Sequence, residues 1–103
     1  MESWASYVEA FSKVREGDGT LLDNMLIYAS TDTGYARFHA LEGMCAMTAG
    51  RAGGKVKTGL HVNAGGTTAG RLGYTAQRVM GLDINSWGAR SNNTSKELGE
   101  ILI

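Results

Sequence analysis

Residues 24–43 read NMLIYASTDTGYARFHALEG. The stretch opens with an uncharged apolar run, Met25-Leu26-Ile27-Tyr28-Ala29. It then breaks into small and polar residues around Asp32 and Gly34, with His39 further on. A short apolar run ending in a polar loop is the pattern of a buried strand. It sets a carboxylate and an imidazole near the strand's carboxyl end, where ligands gather in open α/β sheets. A second run, MCAMTA at 44–49, is bounded by Gly43 and Gly50 and reads as another buried strand. Two such runs joined by one loop predict neighbouring strands in one sheet.

Helical spacing flanks this pair. In residues 3–16, Trp4, Tyr7, Val8, Phe11 and Val14 share one face, Ser3 stands at the N-cap, and Glu9 and Lys13 form an i,i+4 pair. The aromatic stripe predicts a helix that covers a sheet, stopped by Gly17-Asp18-Gly19. Leu21 and Leu22 lead through Asp23-Asn24 into the strand. Residues 68–80 predict a second helix, capped by Thr67 or Thr68 and closed by Gly81 at C′. Ala69, Leu72, Ala76, Val79 and Met80 form its apolar face, with Arg71, Gln77 and Arg78 off it. Gly70 and Gly73 weaken it by up to ~1 kcal/mol each relative to Ala, or else permit close packing on the sheet. Residues 55–62, KVKTGLHV, alternate as a half-exposed sheet edge does. Ser95 is placed to cap a final helical turn. The expected fold is therefore α/β, one domain over 1–103, with a small sheet of about three strands and two main helices packed on it.

Composition narrows the function. A chain of 103 residues makes one domain, and its 43% hydrophobic and 19% charged residues suit a globular chain. Ten basic and ten acidic side chains leave no positive excess to draw nucleic acid. No apolar run is long enough to span a membrane. Glu2 is acidic and no continuous apolar core follows it, so the opening residues do not read as a signal peptide. The lone Cys45 excludes an internal disulfide and lies in an apolar run, as a small buried thiol does. Asn92 and Asn93 both head N-x-[ST] sequons, which matter only on a glycosylating route.

Two glycine stretches and three titratable residues are the candidates for chemistry. AGRAGGKVKT (49–58) departs from the phosphate-loop pattern at Ala49 and Val56, and the segment after it looks extended. GGTTAG (65–70) opens a helix and suits either capping or a small anion. Asp32 and His39 together fit a divalent metal such as zinc, although two ligands are too few for a tight site. His61 is distant along the chain. The structural alternative is that Asp32 bonds backbone N–H groups in a turn.

GDGTLLDNMLIYAST (17–31), GGKVKTGLHV (53–62) and RVMGLDINSWG (78–88) resemble, in that order, the C-terminal part of a bacterial family of unknown function. Its fold belongs to the alkaline-phosphatase and sulfatase-like superfamily. The likeness runs from about Tyr7 to Gly88. Members of that family are several times longer and carry their nucleophile and first metal carboxylate near the N-terminal strand. The resemblance therefore implies a non-catalytic C-terminal segment. Asp32 falls where the superfamily has a metal-binding Asp, and His39 resembles its later His. Thr33 stands where a His is usual, and MCAMTAG lacks the family's Pro. The alternative function is a metal-dependent phosphoester or sulfate-ester hydrolase site completed by a partner chain. A third is a small-anion binding module. A sheet built to sit inside a larger domain leaves an apolar edge uncovered, so a homo-oligomer, most simply a dimer, is expected. Export signals in full-length relatives suggest an exported or cell-envelope setting.

Overall fold

The structure, a computed structural model, describes residues 1–31 and 45–103. Among these residues it is mixed α/β, with three α-helices and two small antiparallel sheets of two strands each. Helix α1 spans Glu2–Ser12, with Met1 rather than Ser3 at its N-cap and Lys13 at its C-cap. Glu9 and Lys13 pair at 2.9 Å, both well exposed, so the pair adds little to stability. No residue of α1 is buried. The Tyr7 and Phe11 rings meet edge to face, 5.0 Å between centroids.

The aromatic stripe does not chiefly cover a sheet. Its main contacts are with the next helix, α2 (Leu21–Asn24). The reason is a chain reversal. Strand β1 (Arg15–Glu16) pairs with β2 (Gly19–Thr20) around a two-residue turn, Gly17-Asp18. Gly17 has φ +59°, as a Gly-first hairpin turn requires. The reversal brings Leu21 and Leu22 back beside α1 before the chain reaches the next strand.

Helix α2 was not expected. Its start carries the cap spacing Thr20-x-x-Asp23, a recognised helix-opening pattern. Asp23 Oδ2 accepts from the Thr20 backbone N–H at 2.9 Å and from the Thr20 hydroxyl at 3.2 Å. The backbone N–H bond holds the Asp23 carboxyl below the usual aspartate range, partial burial opposes it, and the Thr20 hydroxyl, Arg51 and Arg15 add to the lowering.

Strand β3 (Ile27–Ser30) pairs antiparallel with β4 (Ala46–Ala49), Ile27 opposite Ala49 and Ser30 opposite Ala46. The two apolar runs are thus neighbours in one sheet, as expected. They are not fully buried. Ile27 is buried, while Tyr28, Ser30 and Ala46 are exposed, because a two-stranded ribbon shields one face at most. The strand starts at Ile27 rather than Met25 because carbonyls before it are taken. Met25 O accepts from Ala52 N–H (3.0 Å) and Leu22 O from Arg51 N–H (3.4 Å). Gly50, at φ +102°, permits this approach, since a Cβ there would collide with the Met25 carbonyl.

The buried cluster is Ala52, Val56, Val79, Leu98 and Ile101, flanked by Leu26, Val62, Leu72 and Leu102. Three of its elements are a 3₁₀ turn at Ala52–Gly54, helix α3 (Gly70–Val79) and a 3₁₀ turn at Gly99–Ile101. The expected edge 55–62 contributes a single bridge, Val56 to Leu102. Its bonds run from Lys57 N–H to Ile101 O (2.8 Å) and from Ile103 N–H to Lys55 O (3.1 Å). The final 3₁₀ turn is capped at Leu98, not Ser95. Gly81 occupies the expected C′ position, with φ +96° and its N–H donating to Arg78 O at 3.0 Å.

A row on α3, three to four residues apart, ties the helix to residues 97–98. Thr75 is fully buried. Its hydroxyl donates to Arg71 O (2.6 Å) and accepts from Leu98 N–H (2.7 Å). Arg71 Nη2 donates to Glu97 O at 2.8 Å, and Arg78 pairs with the Glu97 carboxylate, which raises the arginine's pKa. Among the described residues no helix is long and apolar enough to cross a membrane.

Two outcomes follow from these bonds. Thr75→Val keeps the shape but leaves the Leu98 N–H without its buried partner, and urea unfolding is expected to show a loss of about 1–3 kcal/mol. Thr75→Ser, which keeps the hydroxyl, is expected to lose less. The lowered Asp23 pKa stabilises the fold above the ordinary value near 3.8, and this contribution disappears as pH falls through the lower folded-state value. The difference in melting temperature between the native chain and Asp23→Asn is therefore expected to be largest near neutral pH and to narrow below pH ~4.

Candidate functional site

Asp32 and His39, the residues expected to hold a metal, lie outside the described residues. The β3–β4 ribbon leads to them. Thr31 N–H donates to Cys45 O at 3.0 Å, and Cys45 N–H donates to the Thr31 hydroxyl at 3.2 Å. These bonds continue the ladder past Ser30–Ala46 and commit the Thr31 side chain to a backbone partner. Cys45 is exposed, not buried as its apolar neighbours suggested. It sits at the open end of a two-stranded ribbon, where no second layer among the described residues covers it.

A broad cleft separates this end of the ribbon from the loop at 57–68, with Thr31, Cys45, His61, Arg71 and Leu98 among its walls. His61 is exposed and shares the cleft with Cys45. Among the described residues no group of three or more His, Cys, Asp or Glu side chains stands close enough to hold a metal ion. The zinc expectation thus rests on Asp32 and His39.

Neither glycine stretch forms a phosphate cradle. In AGRAGGKVKT, Ala52 is buried at φ +49°, and Gly53 and Gly54 also take positive φ. The chain then enters the Val56–Leu102 bridge instead of a helix, so no helix N-terminus faces the loop. In NAGGTTAG (63–70), the polar groups satisfy one another. Asn63 Oδ1 accepts from Gly65 N–H (2.9 Å), the Thr67 hydroxyl donates to Ala64 O (2.9 Å), and Thr68 Oγ1 accepts from Gly70 N–H (3.2 Å). The N-cap of α3 is Ala69, with no side-chain cap bond, rather than Thr67 or Thr68; both threonines are used in the turns that lead into the helix. Lys55 Nζ donates to Val79 O at 3.1 Å, a cation on the negative end of α3.

Sequence reasoning missed the surface beside α3. Trp87 and Thr94 form an antiparallel bridge, each N–H donating to the other's carbonyl at 2.9 Å. The Trp87 ring lies on Gly73, and the Asn92 carbonyl lies on Gly70. A Cβ at either glycine would collide with them. The glycines of α3 do permit close packing, but against residues 87–94 and not the sheet. The signal was present in the spacing Gly70-x-x-Gly73, which leaves a bare strip on one helix face. Comparison of the chain with protein-family models, curated proteins and solved structures returned no match.

Proposed function

We propose that this chain is a non-catalytic C-terminal segment of an alkaline-phosphatase-like protein, which lends a strand pair and an apolar surface to a larger assembly. Where the chain stands alone, the assembly is a twofold homodimer. One observation supports this reading. Among the described residues Val56 is the only hydrophobic side chain that is fully buried, while Tyr7, Leu60, Met80 and Leu82 are all exposed. A small domain has little core to spare, and exposed apolar surface of this kind finds a partner. The β3–β4 ribbon agrees with it. Its two strands have no further ladder partner among the described residues, and two strands alone are marginal in water.

Light scattering at high micromolar concentration is expected to give twice the monomer mass, with Leu82→Glu, at an exposed apolar position, shifting the equilibrium toward monomer. A clean monomer for the unaltered chain would overturn the dimer. Metal analysis separates this reading from a hydrolase site built on Asp32, His39 and a partner's residue. Protein purified without chelator is expected to carry no stoichiometric zinc, and His39→Ala the same trace amount. Stoichiometric metal that His39→Ala abolishes would favour the hydrolase.

A further inference from the structure

A cavity of 390 Å³ opens between β3 and the N-terminal end of α3, lined by Tyr28, Ala69, Gly70, Trp87, Gly88, Ala89 and Asn92. It is an open depression that adjoins the ribbon-end cleft, sharing Tyr28, Ala69 and Asn92 with it, and its volume falls in the range of small-molecule sites, about 300–1,000 Å³. We propose that it binds a neutral sugar ring of an oligosaccharide.

The walls decide the ligand class. Tyr28 and Trp87 are 43% and 45% exposed, so two large aromatic surfaces face solvent across one depression. Trp87 is a fixed platform. Its backbone is paired with Thr94 on both sides, and its ring rests on Gly73. The other lining residues are small, which leaves room above the rings. None of its seven lining residues carries a charge; the charged side chains Arg51, Lys57 and Arg71 line the adjoining cleft instead.

Asn92 supplies the polar contact. Thr68 Oγ1 accepts from Gly70 N–H and sits 3.2 Å from Asn92 Oδ1. A hydroxyl has one hydrogen, so Thr68 donates it to Asn92 Oδ1. That bond orients the amide and leaves Nδ2 as the donor, which makes no hydrogen bond among the described residues. An aromatic platform with one side amide suits a ligand that has an apolar C–H face and acceptor oxygens around its edge. A pyranose has both. A nucleotide would bring phosphate charge that no lining residue of the depression answers, and a wholly apolar ligand would make no use of the Asn92 donor.

The test uses the full chain with Trp4→Phe, so that tryptophan emission reports Trp87 alone. The probes are neutral hexasaccharides of glucose, galactose and N-acetylglucosamine, with adenosine and indole as comparisons. At least one hexasaccharide is expected to give a saturable emission change. Tyr28→Ala and Asn92→Ala, each added to that background, are expected to weaken it about tenfold or more. Both lie away from the buried cluster, and circular dichroism confirms that they remain folded, whereas Trp87→Ala removes packing on α3. The proposal is overturned by flat emission with every sugar up to about 10 mM, by binding that neither substitution weakens, or by saturation with adenosine or indole and no sugar.

Discussion

One hydroxyl holds the two halves of the core together. Thr75 is fully buried in the middle of α3, and its oxygen serves both the helix carbonyl of Arg71 and the backbone N–H of Leu98. A buried N–H without a partner costs more than the bond itself contributes, so the position of residue 98 is set by the helix. Leu98 and Ile101 then stand where they pack on Val56 and Val79. The Val56–Leu102 bridge and the Arg78–Glu97 pair fasten the same segment at either side. Hydrophobic burial supplies the driving force, but a single polar contact determines which segment is buried.

The other half of the structure depends on close approach without side chains. Gly50 lets the turn after β4 press on the end of α2. Gly70 and Gly73 let residues 87–94 lie directly on α3. In each case the missing Cβ is replaced by a carbonyl or an indole, and the contact distance between elements falls accordingly. The many glycines therefore act partly as packing surfaces, which offsets some of the conformational entropy they add to the unfolded chain.

Much of this was legible in the sequence, and what was not has identifiable causes. The strand pair followed from two apolar runs around one loop, and α3 from helical spacing with Gly81 behind it. Their antiparallel, half-exposed arrangement was less visible, because a short apolar run looks the same whether one or both faces are covered. Helix α2 escaped notice because four residues are too few to show a period, and only the Thr20–Asp23 cap announces it. Arg71 and Arg78 stood off the apolar face in the helical reading, yet both fasten the 97–98 segment through the Glu97 carbonyl and carboxylate, since a long side chain can lay its stem on apolar surface and still reach a distant partner. Thr75 gave no signal at all, because a threonine within a helix looks the same whether it faces water or an orphan N–H. Of the candidate site, the ribbon leading to Asp32 was foreseen, whereas the Tyr28–Trp87 cavity joins residues almost sixty positions apart, beyond the reach of any local pattern.

That separation also bears on how the chain is made. Val56 and Val79 leave the ribosome well before Leu98, Ile101 and Leu102, the residues that cover them. Until those arrive, the amphipathic face of α3 lacks part of its cover, and a short helix of that kind is marginal in water. The domain thus cannot lock its core until residues 98–102 have emerged. It passes through a stage in which the nascent chain shows its apolar face to the cell, and chaperones that hold such surfaces have their opportunity then.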